Sequence, residues 1–186
     1  MKLVAKATSY EELIKKSRFI GLIMPCQSEQ EALQWLRQLH QQHPNASHIV
    51  YAYRIQSADG LICRFHDAGE PSGTAGKPIF QHLEGKQLMN LCLAVISYFG
   101  GVKLCAGGLT RAYSNTAKYL IEATELIEYI EFTELSIELA YAQLQGLEYQ
   151  LKKLGGTIVS QEFADLIKVR IQLPKQNLPQ LQAFLN

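Results

Sequence analysis

Residues 91–113 read LCLAVISYFGGVKLCAGGLTRAY, and the order of chemistries in that stretch decides the architecture. Leu91–Phe99 is almost wholly apolar, the pattern of a central strand covered on both faces. Gly100-Gly101 and Gly107-Gly108 then bracket a loop carrying Lys103 and Cys105. A helical period resumes at Leu109. Leu109, Ala112, Tyr113, Ala117, Leu120 and Ile121 share one side, which predicts a long helix over Leu109–Glu128.

Upstream, Arg18–Cys26 reads as a strand and Ser28–Gln42 as a helix. Ser28 suits the N-cap, Glu31 three residues later completes a capping-box pattern, and Pro44 follows the end. His48–Ile55 alternates, with Ile49, Tyr51, Tyr53 and Ile55 on one face and His48, Val50, Ala52 and Arg54 on the other. Ala58-Asp59-Gly60 is a hairpin turn signal, and Leu61–His66 is the return strand.

Downstream, the pattern is β-α-β-β-α. Strand Phe132–Ala140 is followed by a helix over Gln143–Leu154, stopped by Gly155-Gly156. Strands near Thr157–Phe163 and Leu166–Leu173 follow, then a helix over Pro174–Leu185. This is a split β-α-β arrangement short of its last strand. It predicts a three-stranded sheet with Phe132–Ala140 at an edge, guarded by Glu131, Glu134 and Glu138 and open to an added strand from a partner.

Composition fits an ordinary folded protein of two domains, expected at residues 1–130 and 131–186. The chain has 186 residues, 47% apolar and 19% charged, with a net charge of +1. Residues 1–130 hold 13 basic and 11 acidic residues; residues 131–186 hold 5 and 6. The balance gives no general basic excess of the kind that marks many nucleic-acid binders. No run of about 18 apolar residues could span a membrane. Charges interrupt the N-terminus too early for a signal-peptide core. Four cysteines without a CxxC pair read as free thiols, so a cytoplasmic location is expected.

Two segments could carry chemistry: DAGEPSGTAGKP at 67–78 and YFGGVKLCAGGLTRAY at 98–113. Glycine-rich turns between strand and helix let backbone N–H groups approach an anion, and Lys77, Lys103 and Arg111 put cations beside them. Tight turns that pack a helix on a sheet would use the same residues. Pro71 and Pro78 stand where a Walker A loop needs Gly and Ser or Thr, and neither segment contains GxGxxG. No HExxH or GxSxG motif occurs, and His40 and His43 read as surface histidines near a helix end. His66, Asp67 and Glu70 could support proton transfer, bind a cation or cap a turn. Ser72 and Thr74 have no base in the pattern. Tyr98 and Tyr113 could stack on a base or fill apolar faces.

These segments resemble the signatures of the YigZ/IMPACT family, DDGEPxGTAGxP and RYFGGxKLGxGGLxRAY. The match takes in Asp67, Gly69, Glu70, Pro71, Gly73, Thr74, Ala75, Gly76 and Pro78, then Tyr98–Gly101, Lys103, Leu104, Gly107–Leu109 and Arg111–Tyr113. Lys16–Ile20 and the HPxAxHxxxAY pattern at His43, Pro44, Ala46, His48, Ala52 and Tyr53 agree as well. Ala68, Ser97 and Cys105 depart from the signatures. Ala68 removes a second acid, Ser97 removes a cation, and Cys105 argues against positive φ at its position.

The resemblance implies a domain like the second domain of ribosomal protein S5, followed by a ferredoxin-like domain lacking its last strand. It also implies a translation-linked regulatory or binding role, with the ribosome, RNA or a translation factor as partner. The expected ligand-binding residues are Asp67, Gly69, Glu70, Gly73, Thr74, Gly76, Lys77, Tyr98, Gly100, Gly101, Lys103, Gly107, Gly108 and Arg111. No metal, cofactor or membrane partner is expected. The alternative is an enzyme acting on an anionic or phosphorylated small molecule in the same cleft, with no catalytic residue assigned.

Overall fold

A computed structural model describes all residues, Met1–Asn186, as a mixed α+β chain of two compact units, Met1–Tyr129 and Ile130–Asn186. The first unit runs β1 (Lys2–Val4), β2 (Thr8–Ile14), β3 (Ser17–Pro25), α1 (Glu29–Gln42), β4 (His48–Ser57), β5 (Gly60–His66), α2 (Gly76–Gly85), β6 (Leu91–Tyr98), α3 (Ala106–Glu122) and β7 (Leu126–Glu128). Its main sheet has the order β2-β3-β6-β4-β5, antiparallel throughout. No helix of the chain is long and apolar enough to cross a membrane.

β6 lies at the centre, and Leu91–Ile96 are wholly buried. The pleat sends Leu91, Leu93 and Val95 into one core with Phe19, Val50, Ala52 and Tyr113. It sends Cys92, Ala94 and Ile96 into a second core with Leu36, Leu39, Ile49 and Tyr53. Helices α2 and α3 cover the first face and α1 covers the second. An antiparallel sheet with both faces covered thus produces the continuous apolar run that marks buried strands.

The alternation expected of His48–Ile55 is present, and Arg54 reaches the Leu83 carbonyl at 3.0 Å from its core-facing position. Three local expectations need correction. The long helix ends at Glu122, because the Thr124 hydroxyl bonds the Leu120 carbonyl at 2.6 Å and Leu126–Glu128 pairs with β1. The Glu31 carboxylate takes the Gln27 N–H at 2.8 Å, one residue before the N-cap, while Ser28 Oγ accepts from Glu31 N–H. Thr8–Ile14, unassigned from sequence, is an edge strand joined to β3 by Lys15-Lys16, both at positive φ.

The second unit is the expected ferredoxin-like arrangement without its last strand. It contains β8 (Phe132–Leu139), α4 (Tyr141–Leu154), β9 (Thr157–Phe163), β10 (Ile167–Pro174) and α5 (Leu178–Leu185). The sheet order is β8-β10-β9, so β8 is an edge strand. Leu147, Leu151, Leu154, Val169, Ile171 and Leu181 form its core.

An edge strand points alternate N–H groups away from its neighbour. In hydrogen exchange of the isolated protein, about half of the β8 amides should exchange rapidly while those of β10 are slow. Uniform protection along β8 would contradict the open edge.

Candidate functional site

Three adjacent strands place Phe19, Ser97 and His48 in one row, because Ser97 pairs with Phe19 of β3 on one side and His48 of β4 on the other. This row floors a cavity of about 360 Å³. The loop after β5 contributes Glu70 and Pro71, the loop after β6 contributes Phe99 and Val102–Leu104, and α3 contributes Leu109. The walls are mainly apolar, while the polar groups gather at the floor.

Those polar groups are interlocked. The Tyr113 hydroxyl donates to Glu70 Oε1 at 2.7 Å and lies 3.2 Å from Ser97 Oγ. Burial, foremost, and the neighbouring Glu70 push the Tyr113 hydroxyl far above its ordinary pKa, so it remains a neutral donor. His48 Nδ1–H donates to the Ala68 carbonyl at 2.8 Å, an acceptor that fixes the tautomer. Nε2 is then left facing Glu70 Oε1 at 3.7 Å. The Glu70 side chain is only 11% exposed, and no protein donor is bonded to its Oε2. Glu70 therefore offers one oxygen free of protein donors at the base of an apolar recess.

The loop after β5 is tied by its own first residue. Asp67 accepts the N–H groups of Gly73, Ala75 and Gly76 at 2.9, 3.1 and 2.8 Å. Burial pushes its carboxyl up, but these three N–H groups outweigh that and hold it below the ordinary aspartate range. The amides that could have cradled an external anion are thus occupied by the chain's own carboxylate. Gly76 is required by close approach, since a Cβ there would stand 2.8 Å from the His66 backbone. Thr74 turns its hydroxyl to the Pro71 carbonyl at 2.6 Å, and Gly69 contributes backbone only.

The loop after β6 is anchored by two serines. Ser47 Oγ accepts Phe99 N–H at 2.9 Å and Ser17 Oγ accepts Gly100 N–H at 3.0 Å. A Cβ on Gly100 would collide with the Lys16 carbonyl. Gly101 follows at φ +95°, whereas Gly107 and Gly108 lie in the first turn of α3. Cys105 caps that helix with φ −69°, its sulfur accepting Gly108 N–H, and needs no glycine. That bond lowers the thiol pKa first, and the nearby charges of Lys15 and Arg111 add to it.

Of the expected ligand residues, Glu70 and Lys103 line the cavity. Asp67, Gly69, Gly73, Thr74, Gly76, Gly100 and Gly101 shape its loops. Gly107, Gly108 and exposed Arg111 sit at the start of α3, and exposed Lys77 begins α2 outside the cavity lining. Tyr98 points to the opposite face, its hydroxyl 2.7 Å from His43 Nδ1. His48, Ser97, Ser17, Ser47 and Tyr113 were absent from the expected set. The available signal was His48 itself, a histidine on the same strand face as core residues Val50 and Ala52.

With this geometry in hand, the family profile described as Impact N-terminal domain matches residues 15–121. The chain belongs to the IMPACT family. A domain of unknown function, DUF1949, matches residues 137–186. Among IMPACT relatives, an IMPACT family member of Haemophilus influenzae is 37% identical over 158 residues, covering 84% of this chain and 77% of that protein. YigZ of Escherichia coli is 31% identical over 182 residues, covering 97% and 89%. A crystal structure of a hypothetical protein, 29% identical, superposes with a TM-score of 0.69 over 99% of this chain and 90% of that one.

Two stability outcomes follow from the loop contacts. Asp67→Ala should cost about 2 kcal/mol at neutral pH, and Asp67→Asn less, because ionised acceptors make the stronger bonds. Since the folded carboxyl is the stronger acid, its contribution is complete above the unfolded pKa of roughly 4 and lost as pH falls through the lower folded value. Denaturant melts of both proteins across that range check this. Gly100→Ala should destabilise by about 2–3 kcal/mol, whereas Gly107→Ala, with open space around it, should stay within about 1 kcal/mol of wild type. Equal melting of the two glycine variants would contradict the close packing at Gly100.

Proposed function

We propose that this IMPACT-family chain is a translation-linked binding factor that contacts RNA, free or ribosomal, through the cavity of its first unit. The observation that carries the reading is the combination at that cavity. An apolar recess with the exposed ring of Phe99 beside it, 57% accessible, is lined by Lys103, and the Lys15-Lys16 turn lies against Gly100 of the same loop. Single-stranded RNA is bound by stacking or insertion of bases beside cations that follow the phosphates. The charge distribution supports the same unit, since residues 1–130 are net basic and residues 131–186 net acidic.

A second reading, an enzyme acting on an anionic or phosphorylated small molecule, is favoured by one observation. His48 and Glu70 line the cavity 3.7 Å apart, and buried Tyr113 donates to Glu70 from behind, a connected set of titratable groups. Turnover that depends on His48 and Glu70 would favour it over binding alone.

Phosphate contacts release counterions, so RNA affinity should fall steeply with salt. Lys103→Ala and Arg111→Ala should each weaken binding across sequences and reduce the log–log salt slope by about 1. A filter-binding or polysome-gradient salt series measures this. Salt-independent association, or unchanged binding in both variants, contradicts the RNA reading.

A further inference from the structure

We infer that the cavity is selective for guanine, held as a nucleotide with its Watson–Crick edge on Glu70. The inference rests on the RNA-binding reading and goes further, because it names the base from the chemistry of the floor. Glu70 is a nearly buried carboxylate whose Oε1 is held by the Tyr113 hydroxyl and whose Oε2 has no protein donor. His48 is tied through Nδ1 to the Ala68 carbonyl, with Nε2 facing Glu70 Oε1 at 3.7 Å, so Glu70 is the group on the floor with an acceptor atom left open. A carboxylate with one oxygen open in an apolar recess favours a guest with adjacent N–H donors.

Guanine alone among the four RNA bases presents two neighbouring donors, N1–H and the N2 amino group, on its Watson–Crick edge. They match the fork of a carboxylate. Adenine and cytosine each set a ring-nitrogen lone pair beside their single amino group, and uracil sets its one N–H between two carbonyls. In each of these, a lone pair would face a buried carboxylate, an unfavourable contact. The volume of about 360 Å³ and the apolar walls of Phe19, Phe99, Leu104 and Leu109 suit a flat heterocycle.

An arginine side chain of a peptide also presents a fork of N–H donors. Its positive charge sits badly beside Lys103 in the lining. A guanine nucleotide answers both demands, with donors toward Glu70 and phosphate toward Lys103. The same chemistry could arrive as a free nucleotide or as an unpaired guanosine within RNA.

Calorimetric titration of the full chain with GMP, IMP, AMP, CMP and UMP tests the base directly. GMP should bind roughly ten- to a hundredfold tighter than AMP, CMP or UMP. IMP, which keeps N1–H but lacks the amino group, should fall about tenfold below GMP. This ligand series needs no protein variant and so stands even if Glu70→Gln proves unstable. In a folded Glu70→Gln protein the GMP preference should collapse while AMP binding changes little.

A parallel titration with oligouridylate, with and without one internal guanosine, separates the sources. A guanosine-dependent gain supports insertion from RNA. GMP preference without any oligonucleotide binding supports a free nucleotide and overturns the RNA reading. Oligonucleotide binding with no difference among the five nucleotides, or no mononucleotide binding, overturns the guanine inference and leaves the RNA reading standing. Tighter binding of an arginine amide than of GMP overturns it as well.

Discussion

The first unit depends on the two-sided burial of β6. Every side chain from Leu91 to Ile96 lies in a core, so the strand can sit only at the middle of the sheet with helices on both sides. Fixing that strand also fixes its register with β3 and β4, which brings Phe19, Ser97 and His48 abreast. Ser97 is where the apolar run gives way to a polar side chain facing the α2–α3 layer, and the cavity begins there. The cavity is therefore a continuation of the core, with its floor set by the register of β3, β6 and β4.

The glycine-rich loops act one step behind that floor. Asp67 gathers three backbone N–H groups and aims the following Glu70 and Pro71 at the cavity. Gly100 lies against the Lys16 carbonyl and brings the second loop down on the β2–β3 turn. Within the two motifs, the glycines and Asp67 shape the loops, while Glu70, Pro71, Phe99 and Val102–Leu104 line the cavity. The groups facing the cavity come from strands and from α3 as much as from the loops.

This division explains what could be read from the sequence. Period-2 patterns made β4, the β4–β5 hairpin and the three strands of the second unit legible, and the apolar run of β6 identified the centre of the sheet. β2 escaped because its burial alternates but its polarity does not follow: Glu12 stands on the more covered face and Leu13, 73% exposed, on the open one. The length of α3 was overestimated because Leu126 and Ile127 extend its apolar pattern into a strand. Tyr98 and Tyr113 look alike as flanks of one loop, yet strand parity turns the first toward His43 and helix register turns the second toward Glu70. The polar cluster at the floor joins residues 48, 70, 97 and 113 through tertiary pairing, which no local pattern encodes. In the second unit the edge position of β8 was legible because a split β-α-β arrangement short of its last strand leaves its first strand without a second neighbour; β9 is the other edge.

The central claim is that the cavity between the two loops is where this IMPACT-family chain meets its ligand. Backbone amide chemical-shift mapping of the full chain during titration with a short single-stranded RNA tests it most directly. The account predicts shifts centred on Ser47, His48, Ser97 and the Phe99–Leu104 loop, with the second unit's β9 and β10 unaffected. Shifts confined to other surfaces, with the amides around the cavity unmoved at saturation, would contradict it.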